Sequence, residues 1–233
     1  MRQTLIDKSE YRKYLFYAIG EILIVVIGIL FALQVNNLNS NRIKKQNELK
    51  SYQNIKRQIT DDFKEINQVI EFNDYYSSQF ELATKMIVSQ DRSGIDTLAL
   101  IAMNVSKYSD FNRSGNIYET LVNSGDISLM KNYDILSNLQ RLEMTYNEIN
   151  KIEDIHWDII MKEFSPEIKG VINYATQQVV KPEKLYSVII QNIFIECLYL
   201  TKGKDAIYHR ALTEISTITD MINEELDKNN GIF

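Results

Sequence analysis

The chain has one cysteine, two prolines, one tryptophan and two histidines among 233 residues. A lone thiol, Cys197, excludes an intrachain disulfide and any metal site built on paired cysteines. Set between Ile195 and Leu198, it reads as a buried apolar thiol. Two prolines and eight glycines leave few turn formers, so the chain is expected to run in long helices. Basic charge is also short: 26 Lys and Arg against 31 Asp and Glu give a formal net charge of -5. That balance lacks the concentrated positive surface that nucleic-acid binding needs, so no nucleic-acid partner is expected.

Catalytic signatures are missing as well. There is no Gly-x-Ser-x-Gly elbow and no Gly-rich phosphate loop, and the neighbours of Cys197 would not activate it. The expectation is a protein that is not an enzyme and carries no cofactor.

What the sequence does contain is one long apolar run, from Tyr14 to Leu33, interrupted only by Glu21. A helix rises about 1.5 Å per residue, so about 20 residues cross a hydrocarbon core of about 30 Å. Residues 14–35 are therefore expected to form a single transmembrane helix. Residues 1–13 form a short cytoplasmic N-terminus, and residues 36–233 an extracytoplasmic helical domain. Arg2, Lys8, Arg12 and Lys13 precede the run, but it ends Phe31-Ala32-Leu33-Gln34-Val35 without a small-x-small cleavage pair, which predicts an uncleaved signal anchor. Arg12 and Lys13 abut the span, whereas a polar Asn36–Asn41 stretch separates it from Arg42, Lys44 and Lys45. The nearer positive cluster places the N-terminus inside and the domain outside, which in a double-membrane bacterium means the periplasm.

Glu21 lies about a third of the way into the span. An ionisable group there marks a functional position or snorkels toward the headgroups near Arg12 and Lys13. Gly28 follows by seven residues and Ala32 by four more, so a helix brings all three near one face where small residues admit a second helix. These three residues are the candidate site for self-association or for an ion.

Beyond the membrane, residues 41–89 contain neither Gly nor Pro. Apolar residues recur there at spacings of three and four, from Leu49 to Ile87. This predicts one long amphipathic helix, with Asn73, Tyr75 and Tyr76 allowing a bend. A turn follows at Ser89–Gly94. Asp96 is expected to cap a short helix to about Ser106, and Asn116 to cap a second that stops at Gly125. A long helix from about Asn132 to Phe164 follows, and Pro166 marks a break or a helix start. Lys169–Val180 has no clear period. Pro182 starts a helix to about Thr201, Gly203 breaks it, and Asp205 opens the last one. The sum is an all-α chain: one N-terminal transmembrane helix continuing into an elongated antiparallel helical bundle.

Glu153 and His156 have the Glu-x-x-His spacing of carboxylate-bridged di-iron bundles, and Asp205 and His209 share a helix face. Such sites need two Glu-x-x-His motifs plus further inward glutamates, and this chain has only one such motif, so no metal is expected. Trp157, Tyr146 and Phe164 read mainly as core aromatics, with a ligand pocket near Trp157 and Tyr118 as the alternative.

Two stretches carry a resemblance. Gly20-Glu-Ile-Leu-Ile-Val-Val-Ile-Gly-Ile-Leu-Phe-Ala-Leu-Gln-Val-Asn-Asn37 resembles the N-terminal signature of an uncharacterised family of single-pass bacterial envelope proteins. Tyr118-Glu-Thr-Leu-Val-Asn-Ser-Gly-Asp-Ile-Ser-Leu-Met130 is similar to a second segment of the same family. Leu38 stands where that pattern has tryptophan. The resemblance implies a membrane-tethered helical domain of no assigned activity.

The leading expectation is a non-enzymatic scaffold, interaction or accessory subunit of the bacterial inner membrane. Its partners are the lipid bilayer and either further copies of itself or another membrane protein. The alternatives are a homo-oligomeric channel or ion-coupled subunit with Glu21 ringing an axis, and a ligand-binding sensor without its own output domain.

Overall fold

The computed structural model describes residues 8–107, 110–113 and 115–230. Arg2 and the first residues of the 1–13 segment lie outside them, as does Ser114. The chain divides into two compact units, Met1–Lys50 and Ser51–Phe233. The described residues of the first unit are helical throughout.

Helix α1 spans Lys8–Val88, without a break at Asn73–Tyr76. The polar interruption there is explained by packing: Asn73 is buried and its side-chain amide donates to Asp205 Oδ1 at 3.1 Å. α1 stops where Gln90 takes a left-handed conformation (φ 51°), with the Asp91 N–H reaching back to the Met86 carbonyl. That closure normally uses glycine.

Helix α2 covers Ile95–Asn104. Its N-cap is Gly94 rather than Asp96, which lies in the first turn; the capping carboxylate is Asp91, which serves the preceding 3-10 turn Arg92–Gly94. Helix α3, Ile117–Ser124, begins with a reciprocal cap. Asn116 Oδ1 accepts from the Glu119 N–H at 2.9 Å, and its amide donates to the Glu119 carboxylate. Gly125, at φ 77°, ends it in the left-handed region that only glycine enters freely.

Helix α4, Tyr133–Asp158, is capped by Asn132, whose side chain accepts from the Asp134 and Ile135 N–H groups. It widens into a π-helical turn over Ile159–Phe164 and ends in the short helix α5, Ser165–Ile168, with Pro166 in its first turn. The aperiodic stretch that follows is a small antiparallel hairpin, β1 (Ile172–Asn173) against β2 (Gln178–Val179), with Ile172 opposite Val179. Helix α6 is only Pro182–Leu185. Helix α7 then runs unbroken over Val188–Asn230, through Gly203.

Gly203 therefore does not end a helix. A Cβ built on it would lie 3.2 Å from Ile152 Cδ1, so the missing side chain lets α7 approach α4 closely. Helix propensity was outvoted by tertiary packing.

Within Ser51–Phe233 the three long helices pair along their lengths. Lys202–Glu81 and Lys56–Asn223 join α7 to α1, and Arg210–Glu148 and Asn132–Glu225 join it to α4. Rising numbers on α7 meet falling numbers on both neighbours, so α7 is antiparallel to α1 and to α4. The two neighbours run parallel because α2, α3 and their connections return the chain to the starting end.

The buried positions are Tyr52, Ile55, Ile59, Asp62, Ile66, Val69 and Asn73 on α1. On α4 they are Ile135, Leu139, Leu142, Tyr146, Ile149, Glu153 and His156, continued by Ile160 of the π-helical turn. On α7 they are Cys197, Thr201, Lys204, Tyr208, Ala211, Ile215, Ile218 and Ile222. Each stripe alternates steps of three and four, the repeat that coils helices left-handed about one another. At the end of the bundle carrying α2, α5 and the hairpin, a wider apolar cluster forms around Phe80, Leu98, Phe164 and Phe194.

Candidate functional site

The apolar span comes first. Among the described residues one helix has an 18-residue window of mean hydropathy 2.5, and none of that window is buried. Glu21, Gly28 and Ala32 are all exposed on it, and the space where a Cβ of Gly28 would sit is open to 4 Å. At about 100° per residue, the three lie within roughly 40° of one line along the helix.

The bundle interior contains a second polar constellation. Glu153 and His156 on α4 face Lys204 and Tyr208 on α7, and all four are buried; Lys204 has no exposed surface. Glu153 Oε1 accepts from the Tyr208 hydroxyl and from the Phe111 N–H, the latter at 2.9 Å. Burial pushes the Glu153 carboxyl up to about 7; the bonds from Tyr208 and Phe111 and the Lys204 ammonium pull the other way, while Asp110 adds to the rise. Burial lowers His156 to about 3, and the Lys204 ammonium assists. Burial also lowers Lys204, against the opposing charges of Glu153, Asp110 and Asp205. Cys197 is fully buried and pushed up to about 12 by desolvation, so it carries little thiolate.

This cluster pins the connection between α2 and α3. Phe111 is buried with its ring 5.0 Å from that of Tyr146, whose hydroxyl donates to Asp62 Oδ2 at 2.9 Å. The Asn112 N–H reaches Glu65, and Arg113 pairs with Glu143. Carboxylates from α1 and α4 thus supply the acceptors that a short, irregular segment cannot supply for itself.

The Glu-x-x-His pair is therefore engaged with a tyrosine, a main-chain N–H and a buried ammonium. His209 is exposed. No group of three or more His, Cys, Asp or Glu side chains with metal-holding geometry occurs among the described residues. Sequence reasoning passed over Lys204 and Tyr208. The signal was there: both fall on the three-four stripe running from Cys197 to Ile222, but a break assumed at Gly203 cut the stripe in two.

A cleft of about 340 Å³ opens between α2, the π-helical turn and the hairpin, lined by Met103, Ser106, Met161, Phe164, Ser165 and Tyr174, among others. Neither Trp157 nor Tyr118 lines it. Trp157 is exposed and Tyr118 half-buried.

Residues 21–148, more than half of the chain, match a family of unknown function (DUF6090). No curated protein and no solved structure matches the chain.

Proposed function

The chain belongs to the DUF6090 family of unknown function, and on that premise we propose that it is a non-enzymatic, membrane-anchored scaffold or interaction subunit of a bacterial envelope. One observation carries this reading: the most apolar window of the chain is wholly exposed. A core helix of a soluble protein hides such a face, because about 25 cal/mol is lost for every Å² of apolar surface left in water. A span of this length recovers that loss in lipid. With Arg12 and Lys13 at its near end, the N-terminus stays in the cytoplasm and residues 36–233 stand in the periplasm. Glu21, Gly28 and Ala32 form the seam through which copies of the span, or a partner's span, associate.

The test is fractionation of cells expressing the full chain. The protein is expected in the membrane pellet after an alkaline carbonate wash, and a variant lacking residues 14–35 in the supernatant. Protease added to spheroplasts is expected to digest residues 36–233. Release of the full chain by carbonate, or protection of the domain in intact spheroplasts, overturns the anchor or its orientation respectively.

A further inference from the structure

We propose that the cleft beside the π-helical turn is a binding site for a small, mostly apolar molecule that carries a hydrogen-bond donor. The proposal does not depend on the membrane reading. Its volume of about 340 Å³ lies at the lower end of the range for small-molecule sites. Met103, Met161 and Phe164 supply a soft, polarisable wall that adapts to a planar or branched ligand. Ser106, Ser165 and Tyr174, each with a hydroxyl, line the same cleft.

The donor follows from the backbone. In the widened turn each N–H reaches back five residues, and the last such bond runs from Ser165 to the Ile160 carbonyl. The next rung would run from residue 166 to the Met161 carbonyl, but residue 166 is proline and has no N–H. Met161 lines the cleft, and its carbonyl is denied that helical donor. A π-helical turn is less favourable than the α-helix it interrupts and recurs at functional sites. Here it widens the chain ahead of Pro166, where an α-helical register would drive the proline ring into the Lys162 carbonyl. A ligand hydroxyl or amide N–H supplies what the proline withholds.

The experiment uses the full chain in lipid nanodiscs, labelled at methionine methyl groups, titrated with 2-naphthol and with 2-methylnaphthalene. The two probes have equal numbers of heavy atoms, and only the first carries a donor. Concentrations are corrected for partition into lipid. The expected result is saturable shifts of the Met103 and Met161 methyl signals, with the exposed Met144 unmoved, and at least tenfold tighter binding of 2-naphthol. Met103→Trp and, from an exposed rim position, Ser106→Trp are expected to abolish the Met161 shift. The signal of Met130, buried away from the cleft, reports that each variant folds. The proposal fails if neither methyl shows a saturable shift, if the shift survives in both filled variants, or if 2-methylnaphthalene binds as tightly as 2-naphthol.

Discussion

Glu153 and His156 sit one helical turn apart, and the same loss of water moves them in opposite directions. Desolvation favours the neutral form of each, which raises a carboxyl and lowers an imidazole. The consequences for stability are opposed. Glu153 rises from the usual 4.5 to about 7, so the stability it contributes is complete below about pH 4.5 and lost as pH climbs through 7. His156 falls from 6.5 to about 3, so its contribution is complete above pH 6.5 and lost as pH drops through 3. Between pH 4.5 and 6.5 the two slopes cancel, so the pair adds no net slope to the wild-type profile there. Removing one partner uncovers the other. Glu153→Gln should leave a protein whose stability rises with pH up to about 6.5, and His156→Leu one whose stability falls from pH 4.5 to 7, by roughly 3 kcal/mol at about 1.4 kcal/mol per pKa unit. Denaturant unfolding at several pH values decides it; profiles parallel to wild type would show that burial does not set these protonation states. In the sequence, the Glu-x-x-His spacing was visible. The ammonium and phenol that face it were not, because they come from another helix.

At the scale of elements, the residues that open and close α3 on their own backbone were legible, the local cap at Asp91 was missed in favour of Asp96, and side chains that act across the bundle were not legible. Asn116 caps α3 and Gly125 ends it, because each is a short-range hydrogen-bond or φ requirement. Gly203 misled for the opposite reason: its role is set by Ile152, 51 positions earlier in the chain. Its substitution series should reveal that role. Gly203→Ala gains helix propensity of about 1 kcal/mol and presses only the tip of Ile152, so its stability should lie within about 1 kcal/mol of wild type. Gly203→Leu overpacks the α4–α7 contact and should cost about 1–3 kcal/mol. The double variant with Ile152→Ala should recover a good part of that loss, since the two residues touch. Thermal unfolding of wild type, Gly203→Leu, Ile152→Ala and the double variant measures the coupling. Additive effects would mean that α4 and α7 do not meet there.

For the whole molecule, three stripes with a three-four repeat bring α1, α4 and α7 together, and their polar members lie at core positions. A coiled core that admits Asp62, Asn73, Glu153 and Lys204 gives up some apolar burial, and such residues are best known for holding helices in one register. Assembly of several chains is a separate question, argued from the apolar span. If Glu21, Gly28 and Ala32 form a seam, the mass of the nanodisc-reconstituted protein should be a defined multiple of the 27.2 kDa chain and should drop for Glu21→Leu. A monomeric wild type would remove both the seam and any pore lined by Glu21. An oligomer that survives the change would move the contact to residues 36–233.

The amino-acid sequence alone determined the apolar span, the helical class, the cap and stop of α3 and most of the buried stripes. Each of these follows from hydropathy, φ preference or spacing within a single segment. Only the tertiary structure decided that α7 is one helix, that Asn73 is satisfied by Asp205, and that Lys204 and Tyr208 answer Glu153. It also decided that a cleft opens where Pro166 interrupts a helical rung. Those outcomes depend on which residues meet across the bundle, and spacing along one strand of sequence carries no record of what will stand opposite.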